Sequence, residues 1–154
     1  MSVEILFVSK RPTGWVRLAM DDYLGRFPDV LSPKIIYVSP ETGRLAPKER
    51  LARESRSILA KVRINDVLIA LDVTGRFLTN ENLNKKLKSF SEEGKNLKLV
   101  VGGVEGLDGS VKERAHESWS LSGLILPHQI VQILLIEQLY RAFSISVRHP
   151  YHRS

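Results

Sequence analysis

Residues 97–128 decide how this chain folds: Leu97-Lys98-Leu99-Val100-Val101, then Gly102-Gly103-Val104-Glu105-Gly106-Leu107, and further on Ser118-Trp119-Ser120-Leu121-Ser122-Gly123-Leu124-Ile125-Leu126-Pro127-His128. The apolar run rich in β-branched residues predicts a strand, and the paired glycines stop it abruptly. A second run of small and apolar residues follows. Pro127 then predicts the start of a long helix, since proline suits a first turn. Two such loops at the ends of neighbouring strands predict the walls of a small-molecule pocket.

Working outward, residues 3–9, 34–38 and 66–71 are further short apolar runs. Asp66-Val67-Leu68-Ile69-Ala70-Leu71 is continuously apolar after its first residue, the pattern of a strand buried on both faces of a parallel sheet. Helical spacing predicts helices over residues 13–27, 48–62, 79–93 and 128–147. Residues 72–77 read as a turn-bearing loop. Thr79 is the expected N-cap and Gly94 the expected stop of the third helix. Ser110-Val111-Lys112-Glu113 fits a capping box, so a short helix is expected after the glycine loop. A fifth strand or extended loop falls within residues 119–126. The alternation predicts an α/β fold, a mostly parallel sheet flanked by helices, in one domain over residues 1–154.

The last helix carries Ile130, Val131, Ile133, Leu134, Leu135, Ile136, Leu139, Tyr140, Phe143 and Ile145. These cover more than one core-facing stripe, which predicts burial on a second side and hence a homodimer through this helix.

Composition bounds the rest. The chain has 154 residues, 43% of them hydrophobic and 26% charged, and it has no cysteine, so disulfides and thiolate metal sites are excluded. At this size a domain typically removes about 68–70% of its unfolded surface from water. The N-terminus lacks a basic segment before its apolar run and reads as a strand, and no apolar run approaches the ~18 residues of a membrane span. A cytoplasmic protein without membrane attachment is expected.

The net charge of +6 favours a polyanionic partner, nucleic acid first. Arg50, Arg53, Arg56, Lys61 and Arg63 dominate the second helix and the residue after it, against Glu49 and Glu54. This is either a solvated helix face or an RNA contact. From Gln138 onward there is no acidic residue, and the chain ends Arg148-His149-Pro150-Tyr151-His152-Arg153-Ser154. Arginine binds phosphate bidentately, and histidine and tyrosine stack on bases, so this tail is a candidate functional element.

Several chemistries are excluded. The glycine loop lacks the lysine and Ser/Thr of a P-loop, and no glycine fingerprint follows the first strand. No Gly-x-Ser-x-Gly elbow is present. Four scattered histidines without cysteine make no metal site. His116 is expected on a short helix at the surface.

Taken together, Val100-Val101-Gly102-Gly103-Val104-Glu105-Gly106-Leu107, Trp119-Ser120-Leu121-Ser122, Leu126-Pro127-His128, Ile136-Glu137-Gln138-Leu139-Tyr140-Arg141-Ala142 and His149-Pro150-Tyr151-His152-Arg153 resemble the RlmH-type ribosomal RNA methyltransferases, small SPOUT-class enzymes. The resemblance extends to Tyr23-Leu24-Gly25-Arg26-Phe27-Pro28 and Ala70-Leu71-Asp72, and so to nearly the whole chain.

It implies a homodimeric α/β fold with a C-terminal trefoil knot, an exception to the rule of unknotted topology. It also implies methyl transfer from S-adenosylmethionine to N3 of a pseudouridine in 23S rRNA, in the inter-subunit stem-loop of the assembled ribosome. By matching motif, cofactor contacts fall on Leu71, on Gly102 with Gly103 beside it, and on Leu121, Ser122, Gly123, Leu124, Ile125 and Leu126. For catalysis, Arg148 and Arg153 would supply a positive field that eases loss of the N3 proton, and His128, His149 or His152 would accept it. The tail with Tyr151, His152 and Arg153 would close over the site with help from the partner subunit, without metal and without a covalent enzyme intermediate. A non-catalytic ribosome-binding or assembly factor, or a related methyltransferase with another target nucleotide, would share the basic surface; binding of S-adenosylmethionine separates the factor from the enzymes, and mass spectrometry of rRNA separates the enzymes.

Overall fold

Alternation along the strands divides the molecule into layers. On β1 (Val3–Val8), Ile5 and Phe7 face one side and Leu6 and Val8 the other, and all four are buried. The computed structural model describes residues 2–152, the side chain of His152 excepted. The elements that follow are α1 (Gly14–Gly25), β2 (Lys34–Val38), α2 (Pro47–Leu59), β3 (Val67–Phe77), α3 (Asn80–Glu92), β4 (Leu97–Val101), α4 (Gly109–Arg114), β5 (Glu117–Ser120), α5 (His128–Ser146) and a closing 3-10 turn at Pro150–His152. The five strands pair in the order β2-β1-β4-β3-β5, all parallel.

Ile5, Phe7, Ile69, Leu99 and Val101 pack under α1, α3 and α5, with Val16, Met20, Leu83, Leu135 and Leu139. Leu6, Val8, Leu68, Ala70 and Val100 pack under α2 and α4, with Ile58 and Val111. β4 lies at the centre and is buried at every residue, as its apolar run requires. Its one charged residue, Lys98, donates to Lys61 O (2.7 Å) and pairs with Glu4 and, at 3.6 Å, Asp66. A buried ammonium is tolerated only with partners of this kind.

The chain leaves β3 toward α3 on one face and β4 toward α4 on the other. Neighbouring strands whose connections diverge open a crevice at their carboxyl ends. That is where the glycine loop lies.

The expected third-helix signals are present: Thr79 Oγ1 accepts from Asn82 N (3.1 Å), and Gly94 terminates the helix with φ +65°. Three expectations are corrected. First, residues 72–77 do not form a free loop. β3 continues to Phe77 through an irregularity, re-pairing Arg76 with Trp119 and Phe77 with Ser120. Gly75 permits this, because a Cβ there would lie 2.6 Å from Ser118 C. Second, Asp108, not Ser110, caps α4: its Oδ2 accepts from Ser110 N (3.2 Å) and Ser110 Oγ (2.6 Å). These bonds hold the Asp108 carboxyl below its ordinary range. Third, His116 is exposed but follows α4, where its Nδ1 accepts from Leu68 N (3.2 Å) and its own N donates to Leu68 O (2.8 Å).

The wide apolar circumference of α5 is met largely within the chain, which packs the sheet, α1, α3 and the closing turn around it.

Candidate active site at the carboxyl ends of β3, β4 and β5

A cleft of about 250 Å³ opens at the carboxyl edge of the sheet. The end of β3 supplies Leu71, Asp72 and Val73. The loop after β4 supplies Gly102, Gly103, Val104, Gly106 and Leu107. The segment after β5 supplies Leu121, Ser122, Leu124, Ile125 and Leu126, and α5 contributes His128 and Val131. Eight of the nine residues expected at a cofactor therefore line one cleft. Gly123 does not; it sits over Phe77, where a Cβ would meet Cζ at 3.7 Å, an ordinary contact.

Each wall has a local cause. Gly102 packs so tightly on Gly106 that a Cβ would enter the Gly106 backbone, and Gly106 itself adopts φ +78°. Gly106 N donates to Gly103 O (3.0 Å) and closes the loop. Arg50 ties this loop to α2 by an ion pair with Glu105, and its Nη1 donates to Leu45 O (2.7 Å). After β5, Ser120 Oγ donates to Ser122 O and Ser122 Oγ accepts from Leu124 N, both at 2.9 Å. Beneath them Trp119 is buried, with Nε1 donating to Glu117 Oε2 (2.6 Å), and Glu117 also pairs with Lys86 (2.8 Å). Burial alone would raise the Glu117 carboxyl, but Lys86 and Trp119 outweigh it and hold it low.

The electrostatics of the cleft are unusual for a basic protein. Among the described residues no lysine or arginine lines it, and its one carboxylate is Asp72. Asp72 accepts from Thr74 Oγ1 (2.8 Å) and pairs with Lys112 (2.9 Å). Burial pushes its carboxyl up, and these partners bring it net below its ordinary value. A cleft so furnished suits a neutral or cationic ligand with apolar faces and hydrogen-bonding edges, held by backbone groups and by Leu71, Leu121 and Leu126. It is poorly suited to a phosphate.

A larger cavity, about 490 Å³, lies between α3, α5 and the turn before β2, lined by Phe27, Leu31, Leu87, Leu139 and Phe143. It reaches Val3 at the opposite edge of the sheet and has no loop of backbone donors. The smaller cleft is the candidate site.

Of the expected catalytic residues, among those described only His128 stands at the cleft, exposed at its mouth. Arg148 takes φ +57° and turns the chain back along α5, with His149 exposed beside it. Tyr151 is half-buried, donating to Glu137 Oε1 (2.8 Å), with Tyr23 Oη at 3.2 Å. Glu137 lies two to three turns of α5 beyond His128, roughly 13 Å along the axis at 1.5 Å per residue. Tyr151 and the other described tail residues are therefore not among the residues that line the cleft of their own chain. Burial, then Tyr23 and Glu137, raise the Tyr151 hydroxyl above its ordinary pKa, so it is a neutral donor at physiological pH. Arg153 and the side chain of His152 lie outside the described residues. The structure adds Asp72, Val73, Leu107 and Val131 to the lining; the pairing of β3 past Asp72, which brings Val73 there, involves a strand distant in sequence.

The fold and cleft define a parallel α/β protein with a ligand crevice late in the chain. The family described as predicted SPOUT methyltransferase matches residues 1–152. Ribosomal RNA large subunit methyltransferase H of Chromohalobacter salexigens is 39% identical over 155 residues, covering 99% of this chain and all of that one. The proteins of the same name from Acinetobacter baylyi and Dichelobacter nodosus are 40% and 38% identical, each covering the whole of both chains. The chain belongs to the SPOUT methyltransferase family, and membership implies a methyl donor. Among the described residues no helix is long and apolar enough to cross a membrane.

Proposed function

We propose that the cleft binds S-adenosylmethionine and that the chain, as a cytoplasmic homodimer with a knotted C-terminal part, methylates N3 of a pseudouridine in 23S rRNA of the assembled ribosome. The observation that carries this reading is the convergence of Leu71, Gly102, Leu121, Ser122 and residues 124–126 on one crevice. The relatives' names supply the acceptor class, large-subunit ribosomal RNA.

When bound, S-adenosylmethionine supplies an electrophilic methyl group on a sulfonium centre. The cleft's chemistry suits it: apolar side chains for the adenine plane, backbone groups for its edges, and a carboxylate with no competing lysine or arginine among the described lining residues. His128 at the mouth offers a ring nitrogen that can take the N3 proton from the base. The separation of the described Arg148, His149 and Tyr151 from the cleft lining supports a second copy as the source of the tail residues, to which His152 and Arg153 would also contribute. Trp15 and Leu18 on α1, beside α5, are 60% and 72% exposed and offer apolar surface for that association.

Mass spectrometry of rRNA from a strain lacking this chain tests the reading. One methyl group should be missing from one pseudouridine and return on complementation. Unchanged rRNA would overturn it.

A further inference from the structure

Many cations of this protein are paired with carboxylates. On α3, Lys85 pairs with Glu81 (3.0 Å), Lys86 with Glu117 (2.8 Å) and Lys88 with Glu92 (3.9 Å). On α1, Arg17 and Arg26 pair with Asp21 and Asp22, and on α5 Arg141 pairs with Glu137. The layer formed by α2 and α4 differs. Arg44, Lys48, Arg53, Arg56, Lys61 and Arg63 are all exposed. Among the described residues none of their side-chain nitrogens has a carboxylate within 4.0 Å.

The acids that could neutralise them are engaged elsewhere. Glu54 is buried and accepts from Glu41 N (2.9 Å), Glu105 is held by Arg50, and Asp66 is buried beside Lys98. Glu49 on α2 and Glu113 on α4 remain exposed. Lys10, Arg11, Lys34, Arg76, Lys95 and Arg148 also lack an ion pair among the described residues but are scattered over other elements. The longest run of unneutralised cations therefore lies along α2 and the residues after it.

The position of that face matters as much as its charge. α2 begins after the carboxyl end of β2, the edge that carries the cleft, and its first turns touch the glycine loop through Arg50 and Glu105. From there it runs down the sheet for 13 residues, roughly 20 Å, to Lys61 and Arg63, where Arg114 of α4 donates to Arg63 O (2.8 Å). A row of unneutralised cations of this length follows a polyanionic backbone. The exposed residues of α2 are Pro47, Lys48, Glu49, Arg53, Arg56 and Ser57. Ile64 beside Arg63 is a single large exposed apolar side chain, not the apolar face that a bilayer-seeking helix presents, so a lipid surface is the poorer match.

We propose that the outer face of α2, continued by Lys61, Arg63 and Arg114, docks the phosphate backbone of the ribosomal RNA that flanks the target nucleotide. This rests on the function proposed above and assigns the surface that presents the RNA to the cleft. Arg53 and Arg56 contact phosphate without reading sequence, so they set affinity and its salt dependence and leave the chemical step alone.

The test compares the full-length double variant Arg53→Gln/Arg56→Gln with Lys85→Gln/Lys88→Gln, an equal change of charge on α3. Methyl transfer to purified ribosomes is measured across a potassium chloride series, with S-adenosylmethionine binding measured by calorimetry. The α2 pair should raise KM for ribosomes about tenfold at unchanged kcat and cofactor affinity. It should also flatten the plot of log affinity against log salt by about 1.4–1.8. The α3 pair should change KM less than about twofold. Equal effects from the two pairs, or none from the α2 pair, would overturn the docking surface. So would wild-type binding to anionic vesicles that the α2 pair abolishes while methylation is untouched. A wild-type protein that binds the cofactor yet methylates no ribosome defeats the proposed function instead, and the two failures are distinct.

Discussion

Gly102 lies against Gly106 with no room between them: the position of a Cβ on Gly102 is already occupied by the Gly106 backbone. The contact is backbone on backbone, so neither side can rotate away. Gly102→Ala should force the loop open at a cost of about 1–3 kcal/mol and weaken S-adenosylmethionine binding at least about tenfold. Gly123→Ala is the matched control, because its Cβ meets only the Phe77 ring at 3.7 Å. It should stay within about twofold of wild type. Calorimetry and thermal unfolding of both variants give the answer; equal tolerance at the two positions would contradict the packing.

Asp72 joins the end of β3 to α4 through Lys112, and its carboxyl is lower than usual. A depressed folded pKa gives stability that is present above the unfolded value near 3.8 and is lost as pH falls through the folded one. Asp72→Asn should therefore be the less stable protein at pH 6. The deficit should be under about 1 kcal/mol because Lys112 is partly exposed and screened. Urea unfolding between pH 6 and 3 should show the two proteins converging below about pH 4. A gap independent of pH would assign the effect to something other than the charge.

How far these features can be read from the residues depends on the range of the forces involved. β4 and residues 67–71 of β3 are legible because a strand buried on both faces is apolar almost throughout, and α3 because Thr79 and Gly94 mark its ends chemically. The walls of the cleft were legible as strand ends followed by small residues. The continuation of β3 to Phe77 was not, because Gly75 signals a turn locally and its partner Trp119 is far away in sequence. Nor was the α4 cap, where Asp108 and Ser110 both offer a capping oxygen and only geometry chooses. The separation of tail from cleft depends on where α5 points, which no local pattern encodes.

Tyr151 anchors the tail by its hydroxyl, bonded to buried Glu137 and close to Tyr23, while Arg141 and Arg26 lie over its ring at 5.1 and 5.7 Å. Tyr151→Phe keeps the ring and removes the hydroxyl, which should cost about 1–2 kcal/mol in urea unfolding. A phenol with a raised folded pKa contributes stability in full below its unfolded value near 10.0 and loses it as pH rises through the folded one. The gap between wild type and variant should thus be flat from pH 6 to 9 and change only in strong alkali. A break in the methylation pH profile of wild type that Tyr151→Phe removes near neutrality would contradict this assignment.

Glu54 presents the opposite sign. It is buried on α2 beneath the basic face, and burial raises its carboxyl first, with Glu105 and Glu41 adding to the rise against the Glu41 N–H and Arg50. An acid raised in the folded state contributes stability below its unfolded value near 4.5 and loses it as pH rises through the folded one. The ionised form is therefore a burden at pH 7. Glu54→Gln removes the charge and keeps an oxygen to accept from Glu41 N, so it should equal or exceed wild type in stability at pH 7. Wild type should then gain relative to it as pH falls through 4.5. Glu54→Leu removes the acceptor as well and strands the Glu41 N–H, which should cost about 1–3 kcal/mol at every pH. If the glutamine variant were the less stable at pH 7, the ionised carboxylate would be favourable where it sits, and its attraction to Arg50 would have to exceed its burial cost.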